Sequence, residues 1–106
     1  MSLTPIRGAV VPRANVYFDG RCVSHTLQLD DGSRKSVGVI LPGSELEFGT
    51  GAPETMQCAG GWCEWRMLGS PQWQRSAEGE QFSVPGNSRF EIRTGDEPYH
   101  YVCHFG

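Results

Sequence analysis

The side chains with the widest chemical range in this sequence are four cysteines and three histidines, which could support redox chemistry or bind a metal. They are Cys22, Cys58, Cys63, Cys103, His25, His100 and His104. No two cysteines have the Cys-x-x-Cys spacing that is typical of zinc and redox sites. Each cysteine lies in an apolar or alternating segment, where a thiol behaves as a small apolar side chain. We therefore expect buried, reduced thiols rather than a disulfide framework.

The two histidines near the end of the chain lie on one face of a predicted strand. Tyr99, Tyr101 and Phe105 alternate with His100 and His104, and successive residues of a strand point to opposite sides. Because the aromatic side chains are predicted to point into the core, we expect both histidines to face solvent or to form a dimer contact.

Length and charge restrict the class of protein. The 106 residues suffice for one domain with a hydrophobic core, and 38% hydrophobic and 20% charged residues are ordinary for a globular protein. A net charge of -3 and a single lysine argue against nucleic-acid binding, which needs clustered cations. No apolar run is long enough to span a membrane, and the N-terminus lacks the apolar core of a signal peptide. We expect a cytoplasmic protein.

Turn residues and a two-residue periodicity predict an all-β fold. The chain has 14 glycines and 7 prolines, and the short segments between them alternate apolar with polar residues, as around Phe48 and Phe90. No segment keeps apolar residues at a helical period. About eight or nine strands at this spacing predict a sandwich or a small barrel over residues 13–106, preceded by a flexible arm at 1–12.

The segment at 79–90 (GEQFSVPGNSRF) resembles the second signature of cupin barrels, which is a strand, a tight turn and another strand. In metal-dependent cupins a histidine stands near the position of Phe90, and a His-x-His pair stands where this chain has Phe48 and Thr50. Glu54 is the one ligand of four that this chain keeps. Since one carboxylate cannot hold a transition metal in a specific geometry, the comparison implies no bound metal.

Six segments of the chain follow the order found in a known family. They are 15–20 (NVYFDG), 36–39 (SVGV), 48–56 (FGTGAPETM), Trp73, 82–90 (FSVPGNSRF) and 101–105 (YVCHF). Together they resemble the pyrimidine/purine nucleoside phosphorylase family of the cupin superfamily. The resemblance implies a single cupin (RmlC-like) jelly-roll barrel, a homodimer and an enzyme of the glycosyltransferase class.

The same resemblance implies the reaction. It is the phosphorolysis of purine and pyrimidine nucleosides to a free base and α-D-ribose 1-phosphate, with broad specificity for the base. Inorganic phosphate is the co-substrate, and no cofactor is implied.

Glu54 is the first candidate for a catalytic role in such an enzyme. The cupin spacing would carry its carboxylate into the barrel, where it could bind the ribose hydroxyls and stabilise positive charge at the sugar ring. The alternative is an exposed turn glutamate that follows Pro53, because glutamate is rarely buried without a partner.

Candidates for substrate binding fall into three chemical types. Ser36 and Thr50 could donate hydrogen bonds to phosphate or ribose, and the backbone near Asn87, with the Ser88 hydroxyl, could hold an anion. Aromatic rings could form a slot that stacks on any base; the candidates are Phe48, Phe82 and Tyr101. Each residue also has a simpler explanation, which is core packing for the rings and turn or strand formation for the polar side chains.

Two other functions stay open from the sequence. A non-catalytic cupin could hold a small molecule, such as a nucleoside or a sugar, in the same aromatic-lined barrel. A metal-dependent cupin oxygenase or isomerase could use ligands at positions that the comparison of signatures misplaces. Phosphate dependence of base release distinguishes an enzyme from the first alternative, and treatment with a chelator tests the second.

Overall fold

The computed structural model describes residues 4–106, and this part of the chain is all-β as predicted. Its one helical element is a 3₁₀ turn at Phe18–Gly20, and no helix in the described part is long and apolar enough to cross a membrane. The eleven strands are β1 Ala9–Val10, β2 Asn15–Tyr17, β3 Cys22–Gln28, β4 Arg34–Ile40, β5 Glu45–Gly49, β6 Glu54–Gly60, β7 Trp62–Met67, β8 Gln74–Ala77, β9 Gln81–Val84, β10 Arg89–Thr94 and β11 Tyr99–Phe105. The number exceeds the predicted one because β1 and β2 are too short to show alternation.

The strands form two antiparallel sheets that pack face to face. The larger sheet has the order β1-β3-β4-β11-β6-β9, with β2 also paired to β3, and the smaller has the order β5-β10-β7-β8. Their inner faces share one core, to which Ile40 and Tyr99 belong from the larger sheet and Leu46 and Ile92 from the smaller. Two antiparallel sheets that enclose one core in this way are the arrangement of a jelly roll.

The predicted arm at 1–12 is described in part, since residues 1–3 lie outside the described residues. Within it, Ala9 pairs with Gln28 and Val10 pairs with Leu27 at the edge of the larger sheet. The division of the chain into a flexible arm and a domain at 13–106 stays a prediction.

Side-chain alternation decides which face of each strand is buried. On β11, Tyr101 and Cys103 are buried, whereas His100 is exposed. His104 lies on the same outer face, where its Nε2 atom is 2.9 Å from Oε1 of Gln57. The predicted inward and outward faces of this strand are therefore confirmed.

The four cysteines are free and buried, which confirms the prediction made from their apolar segments. Burial raises the pKa of Cys63 to about 12, and it also raises the pKa of Cys22 and of Cys58. These thiols are protonated at neutral pH and act as small apolar side chains of the core.

The outer face of the smaller sheet is held by charged and aromatic side chains. Arg66 pairs with Glu91 at 2.9 Å, and Arg93 pairs with Glu64 at 2.8 Å. The Trp73 ring contacts both arginines, whose Cζ atoms are 4.2 and 4.1 Å from its centroid. Because every one of these groups has a partner on this face, the face supports the sheet rather than forming a site.

The chain passes from the larger sheet to the smaller one within a single residue, Gly61. This residue separates β6 from β7 and has a φ of +70°, in the left-handed region that favours glycine. A Cβ atom at this position would lie 2.1 Å from the carbonyl oxygen of Pro98. Both the φ angle and the backbone contact therefore require a residue without a side chain at the crossing.

We expect Gly61→Ala to lower the free energy of unfolding by about 2–4 kcal/mol, from the left-handed backbone and the displaced carbonyl group together. Urea denaturation followed by tryptophan fluorescence measures this. Gly51→Ala is the matched control, because a Cβ atom there would have nothing within 4 Å. Equal denaturation midpoints for the two variants would contradict the role of Gly61.

Candidate functional site

A cavity of about 310 Å³ opens between the two sheets. Its lining is mainly apolar and aromatic with a few polar groups, as is usual for sites that bind small molecules. The lining residues are Tyr17, Phe18, Ser24, Ser36, Glu47, Phe48, Gly49, Glu54, Met56, Phe90, Tyr101 and Phe105.

The two sheets contribute different chemistry to the cavity. The larger sheet supplies Ser24, Ser36 and Glu54 from β3, β4 and β6, and the smaller sheet supplies the rings of Phe48 and Phe90 from β5 and β10. These two rings are stacked with their centroids 5.7 Å apart. A ligand in the cavity would meet these polar groups on one side and the two phenylalanine rings on the other. Tyr101 and Phe105 add aromatic rings from the larger sheet, and Glu47 adds a carboxylate from the smaller one.

Tyr101 lies flat across Gly38, its partner on the neighbouring strand. A Cβ atom at Gly38 would be 2.7 Å from both Cζ and the hydroxyl oxygen of Tyr101 and 2.8 Å from Cβ of Ser24. The Tyr101 hydroxyl lies 3.5 Å from Sγ of Cys22. Burial raises the pKa of Tyr101, so its hydroxyl keeps its proton at neutral pH and can donate a hydrogen bond.

Glu54 is the first residue of β6, and its side chain is half-buried in the wall of the cavity. Burial raises the pKa of its carboxyl group, against the smaller lowering effects of the Cys103 hydrogen bond and the Arg34 charge. The Cys103 thiol donates a hydrogen bond to Oε1 at 3.5 Å, and burial raises the pKa of Cys103 to about 12. Glu54 is therefore a carboxylate held in the cavity wall, not an exposed turn residue.

The structure brings together four of the residues that the sequence nominated for the site. Ser36, Phe48, Glu54 and Tyr101 all line the cavity. Their roles with a substrate stay predictions, which this shared position supports.

The ring of Phe82, which the sequence nominated for the base slot, lies in the core instead of lining the cavity. It is 6% exposed and stacks on Trp65 with a centroid distance of 4.2 Å and an interplanar angle of 7°. Its ring also meets the Phe90 ring edge-to-face, with the centroids 6.1 Å apart. Phe82 thus supports the Phe90 ring from the core, and its direct role in base stacking stays a prediction without support from this position.

Thr50, Asn87 and Ser88 lie together in a hydrogen-bonded turn, and they do not line the cavity. The Thr50 and Ser88 hydroxyls donate to the carbonyl oxygen of Pro85 at 2.7 and 2.5 Å. Asn87 has a φ of +51°, and its N–H donates to the carbonyl oxygen of Gly51 at 3.1 Å. These groups tie the turn before β10 to the segment after β5, and their predicted part in phosphate or ribose binding gets no support from the cavity.

Tyr17 and Phe18 are cavity residues that the sequence analysis missed. Phe18 and Asp19 each have a φ of +54° and are followed by Gly20 at +92°, although the left-handed region is unfavourable for a phenylalanine. The Phe18 ring meets Phe48 edge-to-face at 5.5 Å and is 45% exposed. Such backbone outliers are common at ligand sites, and the sequence analysis used this segment only for the family resemblance.

Arg34 and Asn15 are polar residues beside the cavity that the sequence did not single out. The Arg34 guanidinium lies over the Phe105 ring, with Cζ 4.5 Å from the centroid. Nδ2 of Asn15 is 3.4 Å from the hydroxyl oxygens of both Ser24 and Thr26. Neither position is visible in a linear sequence, because each depends on strand pairing across the sheet.

The residues at the metal-ligand positions of cupins do not fit a transition metal. Phe48 and Phe90 present carbon atoms there, and the Thr50 hydroxyl is engaged with the Pro85 carbonyl group. Within residues 4–106, no group of three or more His, Cys, Asp or Glu side chains converges. Glu54 is left as a single carboxylate, which has no partner ligand for a specific metal geometry.

Known structures show the fold. The chain is similar to a protein of unknown function from Acinetobacter sp. ADP1, with a TM-score of 0.92 and 42% identity over 99% of this chain and 100% of the other. It is also similar to the Cupin_2 domain of an XRE family transcriptional regulator from Enterobacter cloacae, with a TM-score of 0.66 and 17% identity over 81% of this chain and 98% of the other. The predicted cupin fold is confirmed.

Sequence comparisons show the family. The model of the family described as pyrimidine/purine nucleoside phosphorylase matches residues 12–105. A relative of that name from Paracidovorax citrulli is 61% identical over 98 residues, which cover 92% of this chain and 91% of the relative. Another of the same name, from Dechloromonas aromatica, is 60% identical over 92% of this chain and 93% of the relative. The chain therefore belongs to the pyrimidine/purine nucleoside phosphorylase family.

Proposed function

We propose that this protein cleaves purine and pyrimidine nucleosides with inorganic phosphate and releases the free base and α-D-ribose 1-phosphate. The observation that carries the proposal is the joint presence, in one cavity, of aromatic faces and a half-buried carboxylate, Glu54. Relatives named pyrimidine/purine nucleoside phosphorylase, at about 60% identity over most of the chain, support the same reaction.

The reaction needs positioning more than it needs a protein nucleophile. A phosphate oxygen forms a bond to the anomeric carbon, and the bond from that carbon to the base nitrogen breaks. The base leaves with the electron pair and takes up the proton that dihydrogen phosphate gives up, so atoms and charge balance. The sugar passes through an oxocarbenium-like state, as in glycoside hydrolysis. Most of the acceleration then comes from orientation and from electrostatic stabilisation of that state.

Glu54 is placed to supply the electrostatic stabilisation of the oxocarbenium-like state. Its carboxylate faces the cavity, and the Cys103 thiol occupies one oxygen at 3.5 Å, which leaves the other for the substrate. A negative charge in a partly dehydrated wall stabilises a developing positive charge more strongly than the same charge in water. The second oxygen can also accept hydrogen bonds from the ribose hydroxyls.

The aromatic residues account for a broad specificity toward the base. Phe48 and Phe90 form one wall, and the ring of Phe18 stands edge-on to Phe48 at the exposed side. Every purine and pyrimidine has a π-face, so stacking selects a flat ring without reading its hydrogen-bonding edge. The proposal includes metal independence, since Glu54 is the one carboxylate among the residues compared with the cupin ligands, and none of them is a histidine.

A homodimer and a cytoplasmic location complete the proposal. On the outer face of the larger sheet, Val16, Val23 and Val39 form one row, with Val37 and Val102 in the next. Val16 is 61% exposed, and an apolar patch of this kind fits a protein interface. Free thiols persist in a reducing compartment such as the cytoplasm. A single-chain mass in sedimentation equilibrium would contradict the dimer.

We expect base release from both uridine and adenosine to require phosphate, with ribose 1-phosphate formed in equal amount, because phosphate is the nucleophile. Chromatography of the products with and without phosphate measures this, and chelator-treated protein should keep its rate. Binding without release would favour the non-catalytic alternative. Loss of activity on chelation, with recovery on adding metal, would favour the metal-dependent one.

We expect Glu54→Gln to lower kcat for phosphorolysis by about 10²- to 10³-fold, a loss typical of removing one preorganised electrostatic group. The variant should be folded. Since burial raises the pKa of Glu54 above its ordinary value, the wild type loses stability as pH rises through the raised pKa. The glutamine variant lacks that loss, so its stability relative to the wild type should increase as the pH rises above the ordinary pKa of a glutamate.

Glu45→Gln is the matched control, because Glu45 is exposed on β5 and its replacement by glutamine also removes one negative charge. It should keep the wild-type kcat. A Glu54→Gln variant with full turnover would remove Glu54 from the mechanism, whatever its stability.

A further inference from the structure

Arg34 stands at the rim of the cavity with its guanidinium held by an aromatic ring. It is the first residue of β4, and Ser36, two positions along the same strand face, lines the cavity. The Arg34 Cζ atom lies 4.5 Å from the centroid of Phe105, another cavity residue. Stacking of this kind fixes the plane of the guanidinium while leaving its in-plane N–H groups available.

The guanidinium of Arg34 is not engaged in an ion pair within the described part of the chain. Three other arginines are engaged in ion pairs with glutamates on the smaller sheet; they are Arg66, Arg89 and Arg93. Among the described residues, Arg34 has no carboxylate within ion-pair distance, and its side chain is exposed. The N–H groups of this guanidinium are therefore free for a ligand at the rim.

An anionic co-substrate needs a cation in this place. The cavity is lined by two glutamates, Glu47 and Glu54, and their negative charge repels a phosphate ion that approaches the sugar. Arg89 pairs with Glu47 and offsets its charge. The charge of Arg34 acts on Glu54: it lowers the pKa of this carboxyl group, against the larger raising effect of burial.

We infer that Arg34 binds the inorganic phosphate co-substrate at the rim of the cavity, next to Glu54 and Phe105. The inference rests on the proposed function, because only a phosphorylase brings phosphate to this place. Arginine suits the task, since its planar fork can donate two parallel hydrogen bonds to phosphate oxygens. The Phe105 ring orients that fork, and Glu54 is left to face the sugar.

The test compares Arg34→Gln and Arg34→Lys with the wild type in initial rates at varied phosphate and varied uridine. We expect Arg34→Gln to lower kcat/KM for phosphate by about 10- to 100-fold, the usual range for charge-assisted hydrogen bonds. The KM for uridine should stay close to the wild-type value. Arg34→Lys should lie between the two, since lysine keeps the charge and loses the fork.

Arg75→Gln is the matched control, because Arg75 also stacks on an aromatic ring, with Cζ 4.3 Å from Trp62, and belongs to the smaller sheet outside the cavity. It should keep the wild-type constants. If Arg34→Gln keeps the wild-type kcat/KM for phosphate, or lowers kcat/KM for uridine and for phosphate alike, the inference about Arg34 is wrong. If the wild type releases no base at any phosphate concentration, the proposed function itself fails.

Discussion

The cavity between the two sheets depends on the way the Tyr101 ring packs against Gly38. Strand β11 lies in the middle of the larger sheet, between β4 and β6, so its inward side chains set the depth of the space above them. A side chain at Gly38 would collide with the Tyr101 ring at 2.7 Å. The ring would then have to leave its present position, which would change the shape of the cavity that it lines. Since Tyr101 also stacks on Tyr99 at 5.8 Å, it is held down from two sides.

Burial on this inward face penalises the charged form of a carboxylate. The neighbours of Glu54 offset part of that penalty. The stacked rings of Phe48 and Phe90, which the sequence analysis compared with imidazole positions of metal cupins, keep the opposite wall largely apolar. An apolar wall lowers the local dielectric, which penalises the charged form of Glu54 and strengthens its field at the sugar. Cys103 donates a hydrogen bond and Arg34 adds a positive charge, and both act against the penalty. In the proposed mechanism, the apolar wall and the carboxylate work together.

Strand alternation made much of the fold readable from the sequence. It predicted the buried face of β11 and the buried thiols. The comparison with cupins predicted that the Glu54 side chain points into the barrel. Local turn chemistry was less informative, because a hydroxyl such as that of Thr50 can face a ligand or a carbonyl group, and only the fold decides which. The left-handed φ of Phe18 and the stacking of Arg34 on Phe105 arise from contacts between distant segments. No local pattern encodes such contacts.

The distribution of polar groups explains how so small a cavity could serve many nucleosides. Ribonucleosides share a ribose and, in phosphorolysis, the same attacking phosphate, whereas the base varies. The polar groups proposed to act, Ser36, Glu54 and Arg34, belong to the larger sheet, and they would face the shared parts. The rings of Phe48 and Phe90 belong to the smaller sheet and would face the variable part through its π-face alone. Hydrogen bonds specific to one base would narrow the range of substrates. An aromatic wall that only stacks on the base therefore favours a broad range of nucleosides over selection of one.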